Sequence, residues 1–142
     1  MRISEVLRSK GAHVVTIAPE TSVRELLHVL AEHNIGAVVV SRDGVTIQGI
    51  ASERDIVRHL TPGTEVLDRP VSSIMTREVH SCDPGATVDE LMRLMTRERV
   101  RHVPVLVDGR LAGLVSIGDV VKTRIGELEF EREQLADYIR RS

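Results

Sequence analysis

The chain has 142 residues, 42% of them hydrophobic and 28% charged, with 19 lysines and arginines against 21 aspartates and glutamates. That length buries one core or two small fused ones. A formal net charge of −2, mixed along the chain, excludes the one-signed surface that a nucleic acid or an anionic membrane would need. The single cysteine, Cys82, excludes an internal disulfide and a cysteine-rich zinc site, and no stretch approaches the ~18 apolar residues of a membrane span, so a cytoplasmic protein is expected.

From the N-terminus, "MRISEVLRSKG" lacks the apolar core of a signal peptide and reads as a lead-in helix. "HVVTIAPETS" is a short extended segment closed by a proline turn. A helix follows in "SVRELLHVLAEHN", opened by Ser22 and Glu25 at capping-box spacing, with apolar residues at 23, 26, 27 and 30 on one face. "IGAVVVSRDGVTIQGIAS" reads as strand, Asp-Gly turn and strand, and a second helix starts at "ERDIVRHL". The run "GAVVV" has the apolarity of a strand covered on both faces. After the lead-in "VSSIMT" the same succession returns. "VHSCDPGAT" is extended, and "TVDELMRLMTRER" is a helix with Thr87 and Glu90 as its box and apolar residues at 88, 91, 92 and 95. "VRHVPVLVDGRLAGLVS" is again strand, turn and strand, and a helix begins at "IGDVVKTRI".

The correspondence is a duplication. A shift of 65 matches Pro19 with Pro84, Val23 with Val88, Glu25 with Glu90, Leu26 with Leu91, Val38 with Val103, Val40 with Val105, Asp43 with Asp108 and Gly44 with Gly109. One residue is lost after the turn, and a shift of 64 then matches Gly49 with Gly113, Ser52 with Ser116, Asp55 with Asp119 and Val57 with Val121. The C-terminal part departs from the repeat. Residues 118–141 read as one helix, about 35 Å long at 1.5 Å per residue. Val121, Ile125, Leu128, Leu135 and Ile139 follow a 4-3 spacing interrupted by Arg132, a seam that either packs back on its own domain or meets a second copy. Phe130 falls off the seam, and Gly126 weakens the helix by roughly 1 kcal/mol relative to alanine.

The doubled β-α-β-β-α unit, the lead-in "VSSIMT", the strand "RHVPV" and the phrases "GIASERDIV" and "GLVSIGDVV" together resemble a tandem pair of cystathionine-β-synthase (CBS) domains, a Bateman module, over about residues 1–125. The resemblance implies an α/β (α+β) fold in which two repeats pack with pseudo-twofold symmetry. The division is 1–62 for the first repeat with its lead-in helix, 63–125 for the second with its lead-in, and 126–142 for the helical extension. It also implies two clefts for adenosine compounds such as AMP, ADP, ATP or S-adenosylmethionine, and pairing into homodimers.

On that resemblance the ligand is expected beside Thr16 and Ile17, beside Ser81, at the strand starts Ala37 and His102-Val103-Pro104, and at the two Ser-x-x-Asp sequences. An ionised aspartate is acceptor-only, so Asp55 or Asp119 can take hydrogen bonds from both hydroxyls of a ribose, with Ser52 or Ser116 adding a contact. Free amides and the positive dipole end of the helix lie close by for phosphate oxygens, with Arg54, Arg101 and His102 as further candidates. A plainer reading is equally consistent with the spacing: each serine is an N-cap and each aspartate its partner three residues on. Capping boxes favour Glu or Gln at that third position, and the use of Asp in both of these sequences leans toward binding.

Other residue types offer less. His28 and His33 are five apart, off the spacing that sets two ligands on one helix face, and no metal site is expected. Cys82 has no base at a fixed offset and reads as structural. "RERVRH" faces phosphates or merely closes a helix. The expectation is a stand-alone, non-enzymatic sensor of adenine nucleotides acting on an unknown regulated protein. The alternatives are a structural or adaptor module with degenerate, unoccupied clefts and, third, an enzyme with only its carboxylates to carry a reaction.

Overall fold

The computed structural model describes residues 1–141. Its elements run α1 (Ile3–Lys10), β1 (Thr16–Ile17), α2 (Val23–His33), β2 (Ala37–Val40), β3 (Gly49–Ser52), α3 (Glu53–Leu60), two 3₁₀ turns (Thr64–Asp68 and Val71–Ser73), α4 (Val88–Glu98), β4 (His102–Val107), β5 (Arg110–Ser116) and α5 (Ile117–Arg141). This is the mixed helix-and-strand order that the duplication implies, extended by one long helix. None of the described helices is long and apolar enough to cross a membrane.

In the first repeat β1 runs parallel to β2, and β2 antiparallel to β3, with Ala37 opposite Ser52. In the second, β4 pairs with β5 so that His102 stands opposite Ser116. The repeated serine therefore ends a strand at the same level in both copies. The first strand of the second copy is reduced to a bridge between Cys82 and Val105, in which the Cys82 amide donates to the Pro104 carbonyl at 3.0 Å and the Leu106 amide to the Cys82 carbonyl at 2.9 Å. The Asp108-Gly109 turn has φ of 52° and 75°, the type I′ signature of a tight hairpin. Its counterpart in the first copy is a longer loop. There the Asp43 carboxylate accepts the amides of Thr46 at 2.7 Å and Val45 at 2.8 Å, and these donors hold it down at about 2.

Two apolar cores form, and each repeat completes its core with the other's lead-in. Val23, Leu26, Leu30, Val38, Val40, Ala51 and Ile56 are joined by Val66, Val71 and Ile74, which precede the second copy. Val88, Leu91, Met95, Val103, Val105, Val115 and Val120 are joined by Ile3, Val6 and Leu7 of α1. The exchange welds two small cores into one unit. It also explains the glycine that opens each repeated phrase. A Cβ on Gly49 would lie 2.8 Å from the Thr76 carbonyl oxygen, and one on Gly113 would lie 2.7 Å from Leu7 Cδ2, so each lead-in presses directly onto the strand.

β2 is buried on both faces, since Ala37 and Val39 are as enclosed as Val38 and Val40. α2 ends at Asn34 and α4 at Arg99, both in the left-handed conformation of a helix C-cap. α5 continues well past the second core, and Val121, Ile125, Leu128 and Leu135 are exposed along it, so the seam does not fold back onto its own domain.

Candidate functional site

Ser52 leaves β3 with extended backbone and becomes the N-cap of α3. The Asp55 amide donates to Ser52 Oγ at 3.3 Å, while Asp55 Oδ2 accepts the Ser52 amide at 2.9 Å and its hydroxyl at 3.0 Å. The other oxygen, Oδ1, accepts the Thr76 hydroxyl at 3.4 Å. Asp55 is 8% exposed. In the second copy the Asp119 amide donates to Ser116 Oγ at 3.2 Å, and Asp119 Oδ2 accepts the Ser116 amide at 2.8 Å.

Both Ser-x-x-Asp sequences are thus closed capping boxes, which corrects the expectation that aspartate is ill-suited to the role. A side chain at the third helical position leans back toward the N-terminus, and even the short carboxylate reaches the capping residue's amide. Of the two boxes expected with glutamate, Thr87 and Glu90 close one reciprocally at 3.1 and 3.2 Å. Ser22 and Glu25 form only half of theirs, the Glu25 amide donating to Ser22 Oγ at 3.1 Å.

Asp55 borders a cleft of about 280 Å³ between the repeats. The first repeat contributes Gly36, Ser52, Arg54 and Arg58, the connecting segment Thr76 and Glu78–His80, and the second repeat Arg99, Arg101 and His102. Four arginines line it against three acidic residues, Glu53, Asp55 and Glu78. The N-terminus of α3 adds the positive end of its dipole. His102 sits against Gly36, where a Cβ would come within 3.6 Å of its ring. Burial pushes the imidazole below its ordinary value, outweighing the pull of the Asp119 carboxylate, so His102 is neutral at pH 7.

Asp119 borders a different cavity, about 450 Å³, which lies between α1 and α5 rather than between the repeats and is lined by Ser9, Lys10, Lys122, Thr123 and Phe130 among others. Its carboxylate pairs with Lys10, Nζ to Oδ2 at 2.6 Å. Burial raises the carboxyl, but the Lys10 ammonium and the Ser116 amide outweigh it and hold the group below the usual carboxylate range.

Of the residues singled out in the sequence, Ser52, Arg54, Asp55, Arg101 and His102 come together on the first cleft. Ser116 and Asp119 form the second cap. Thr16 is half-buried opposite Val39, and Ser81 is exposed beside the Cys82 bridge. Ile17, Ala37, Val103 and Pro104 have buried side chains, which leaves only their backbone to face a ligand. Arg58, Thr76 and His80 also line the first cleft without having been anticipated, and so does Arg99, which the sequence offered only as part of the basic run "RERVRH". Arg58 was within reach of the sequence, since it follows Arg54 by four residues on one helix face. Thr76 and His80 lie between the aligned copies, and Arg99 reaches the cleft from a left-handed cap that a non-glycine residue does not announce.

The sequence profile of the CBS domain matches the chain twice, over residues 3–62 and 71–126. CBSX3, a mitochondrial CBS domain-containing protein of Arabidopsis thaliana, is 35% identical over 146 residues, spanning 96% of this chain and 71% of the relative. The crystal structure of the CBS-domain containing protein ATU1752 from Agrobacterium tumefaciens has a TM-score of 0.84 at 45% identity, covering 87% of this chain and 99% of that one. The CBS domain pair of protein MJ0100, solved in complex with 5-methylthioadenosine and S-adenosyl-L-methionine, has a TM-score of 0.79 at 23% identity over 89% of this chain and 98% of that one.

Proposed function

The chain belongs to the CBS-domain family, and on that premise we propose that it is a regulatory module that binds an adenine nucleotide of the AMP, ADP or ATP class between its repeats and acts as a sensor rather than a catalyst. The observation that carries this reading is the placement of Asp55 and four arginines around one cleft. Asp55 Oδ2 is committed to the cap, but among the described residues Oδ1 has only the 3.4 Å contact with Thr76 and keeps capacity to accept from ribose hydroxyls. Phosphates would lie toward the start of α3 and Arg54, Arg58, Arg99 and Arg101, with Ile50, Val79 and Val100 as apolar surface for the base. At about 280 Å³ the cleft is near the lower end of small-molecule pockets, which run from about 300 Å³ upward. The MJ0100 pair supports the ligand class, having been solved with two adenosine compounds. The guanidinium lining favours phosphorylated members of that class over a sulfonium.

Because the cleft draws on both repeats and on the segment joining them, a ligand biases their arrangement by its differential affinity for it. A second copy or a regulated protein reads the change. Val57 on α3 and Val121 on α5 occupy equivalent places in the repeat and are both exposed, and with Ile125 and Leu128 they are the apolar residues through which a homodimer would form. The lone Cys82, whose thiol burial pushes up to about 11 with help from Asp83, suits a reducing compartment such as the cytoplasm.

The closed boxes at Asp55 and Asp119 favour one competing reading, an adaptor module whose carboxylates serve only as caps. Thermal unfolding with AMP, ADP, ATP and S-adenosylmethionine, repeated on Asp55→Ala, separates the two. A ligand at about 100 times its Kd adds about 2.7 kcal/mol. The sensor reading expects that shift from a phosphorylated nucleotide and its loss in the variant, and the adaptor reading expects no shift from any of the four.

A further inference from the structure

The two lead-ins bring different chemistry to equivalent places. In the first repeat Thr76 pairs with Ile50, its amide donating to the Ile50 carbonyl at 2.8 Å, and its hydroxyl reaches Asp55 Oδ1 at 3.4 Å. In the second repeat the residue equivalent to Ile50 is Leu114, and its carbonyl accepts from Lys10 Nζ at 2.7 Å. The same ammonium donates to Asp119 Oδ2 at 2.6 Å. One lysine at the end of α1 thus meets the carbonyl that the Thr76 amide meets in the first repeat, and it meets the carboxylate at the cap oxygen Oδ2, where the Thr76 hydroxyl touches the other oxygen, with a full positive charge. A neutral hydroxyl at 3.4 Å yields readily to a ribose hydroxyl, whereas an ammonium bound at 2.6 Å and locked at a second acceptor stays against the carboxylate, neutralises it and takes the room beside it that a ribose would need. The space beside Asp119 differs too, since its cavity is walled by α1 and α5 and not by the opposite repeat.

We propose that Lys10 is a specificity-determining residue that occupies the second carboxylate in place of a ligand, so that the chain binds one nucleotide, at Asp55, and excludes it at Asp119. This rests on the nucleotide-binding reading of the first cleft and goes beyond it by assigning unequal roles to two sites that the duplication makes formally alike.

Titration calorimetry with ATP, ADP and AMP on the full chain tests it. The wild type is expected to bind one nucleotide per chain. Lys10→Met is expected to bind two, the second site disappearing when Asp119→Ala is added, and Lys10→Arg is expected to keep the count at one. Lys10 lies at the exposed end of α1, and circular dichroism of each variant verifies that the fold is retained. Two sites in the wild type, or a single site in Lys10→Met, would overturn the assignment of Lys10 while leaving nucleotide binding intact. Silence of the wild type and of Lys10→Met toward all three nucleotides instead overturns the binding reading itself.

Discussion

Asp55 Oδ2 holds the backbone amide of Ser52 at 2.9 Å while Ser52 Oγ holds the amide of Asp55 at 3.3 Å, so the residue proposed to grip a ribose is also the one that starts α3. The two roles use different oxygens and need not exclude each other. They do respond differently to a change in side-chain length.

Asp55→Glu is expected to retain the cap, since glutamate is well suited to the third helical position, and to hold stability within about 1 kcal/mol of the wild type. The longer side chain moves the free oxygen out of register with a ribose, so the thermal shift given by a nucleotide should disappear. Asp55→Ala removes both functions and is expected to cost about 1 kcal/mol, the size of a helix cap. Nucleotide affinity that survives Asp55→Glu unchanged would leave Asp55 with the cap alone.

Much of this arrangement was legible in the sequence because it rests on local periodicity. The helix faces at residues 23, 26 and 30 and at 88, 91 and 95, the Asp108-Gly109 turn and the two serine caps are short-range patterns that appear where their spacing places them, whereas the faces are narrower than expected, since Leu27 is exposed and Met92 only partly buried. What stayed hidden depends on long-range pairing. Nothing local in "ISEVLRSK" says that Ile3, Val6 and Leu7 complete the core of the second repeat rather than the first. Nor does it say that Lys10 ends beside Asp119, a separation of 109 residues. Arg99 was legible only as part of the basic run "RERVRH", because its individual place on the cleft follows from a left-handed backbone that propensity assigns to glycine or asparagine.

The same lead-in exchange makes the paired glycines unequal. At Gly49 a new Cβ would meet backbone, the Thr76 carbonyl at 2.8 Å, and the bridge between Ile50 and Thr76 fixes that atom. At Gly113 it would meet the end of the Leu7 side chain at 2.7 Å, which can change rotamer. Gly49→Ala is expected to cost about 1–3 kcal/mol, the range of overpacked cores, and Gly113→Ala less. Urea denaturation of both variants checks the order, and equal losses would mean that Leu7 is as rigid as the strand bridge.

The Lys10–Asp119 pair fixes a dependence on acid. Because the folded carboxyl lies below its ordinary value of 3.8, the unfolded chain takes up the proton first as the pH falls. Its contribution to stability is therefore complete above that value and lost as the pH falls through the lower folded one. The stability difference between wild type and Lys10→Met should be constant near neutrality and shrink below pH 3.8. Denaturation midpoints measured from neutrality down to pH 3 would show this, and a gap that persists unchanged in acid would assign it to packing of the lysine stem.

His102 gains the opposite sign of charge only on protonation and leads to a prediction about binding. Burial holds the free imidazole below 6.5, with Asp119 pulling it up and Lys10 pushing it further down. The folded chain accordingly binds the proton later than the unfolded one, and the contribution of His102 to stability declines as the pH drops below 6.5. A nucleotide phosphate in the adjoining cleft adds negative charge that favours the imidazolium. Binding should then take up a proton, and by linkage affinity should rise as the pH is lowered toward and below 6.5. Calorimetry in buffers of different ionisation heat measures that uptake directly, and His102→Gln should reduce it. Binding heats that are independent of the buffer near pH 6 would place the phosphates away from His102, toward Arg54 and Arg58 at the start of α3.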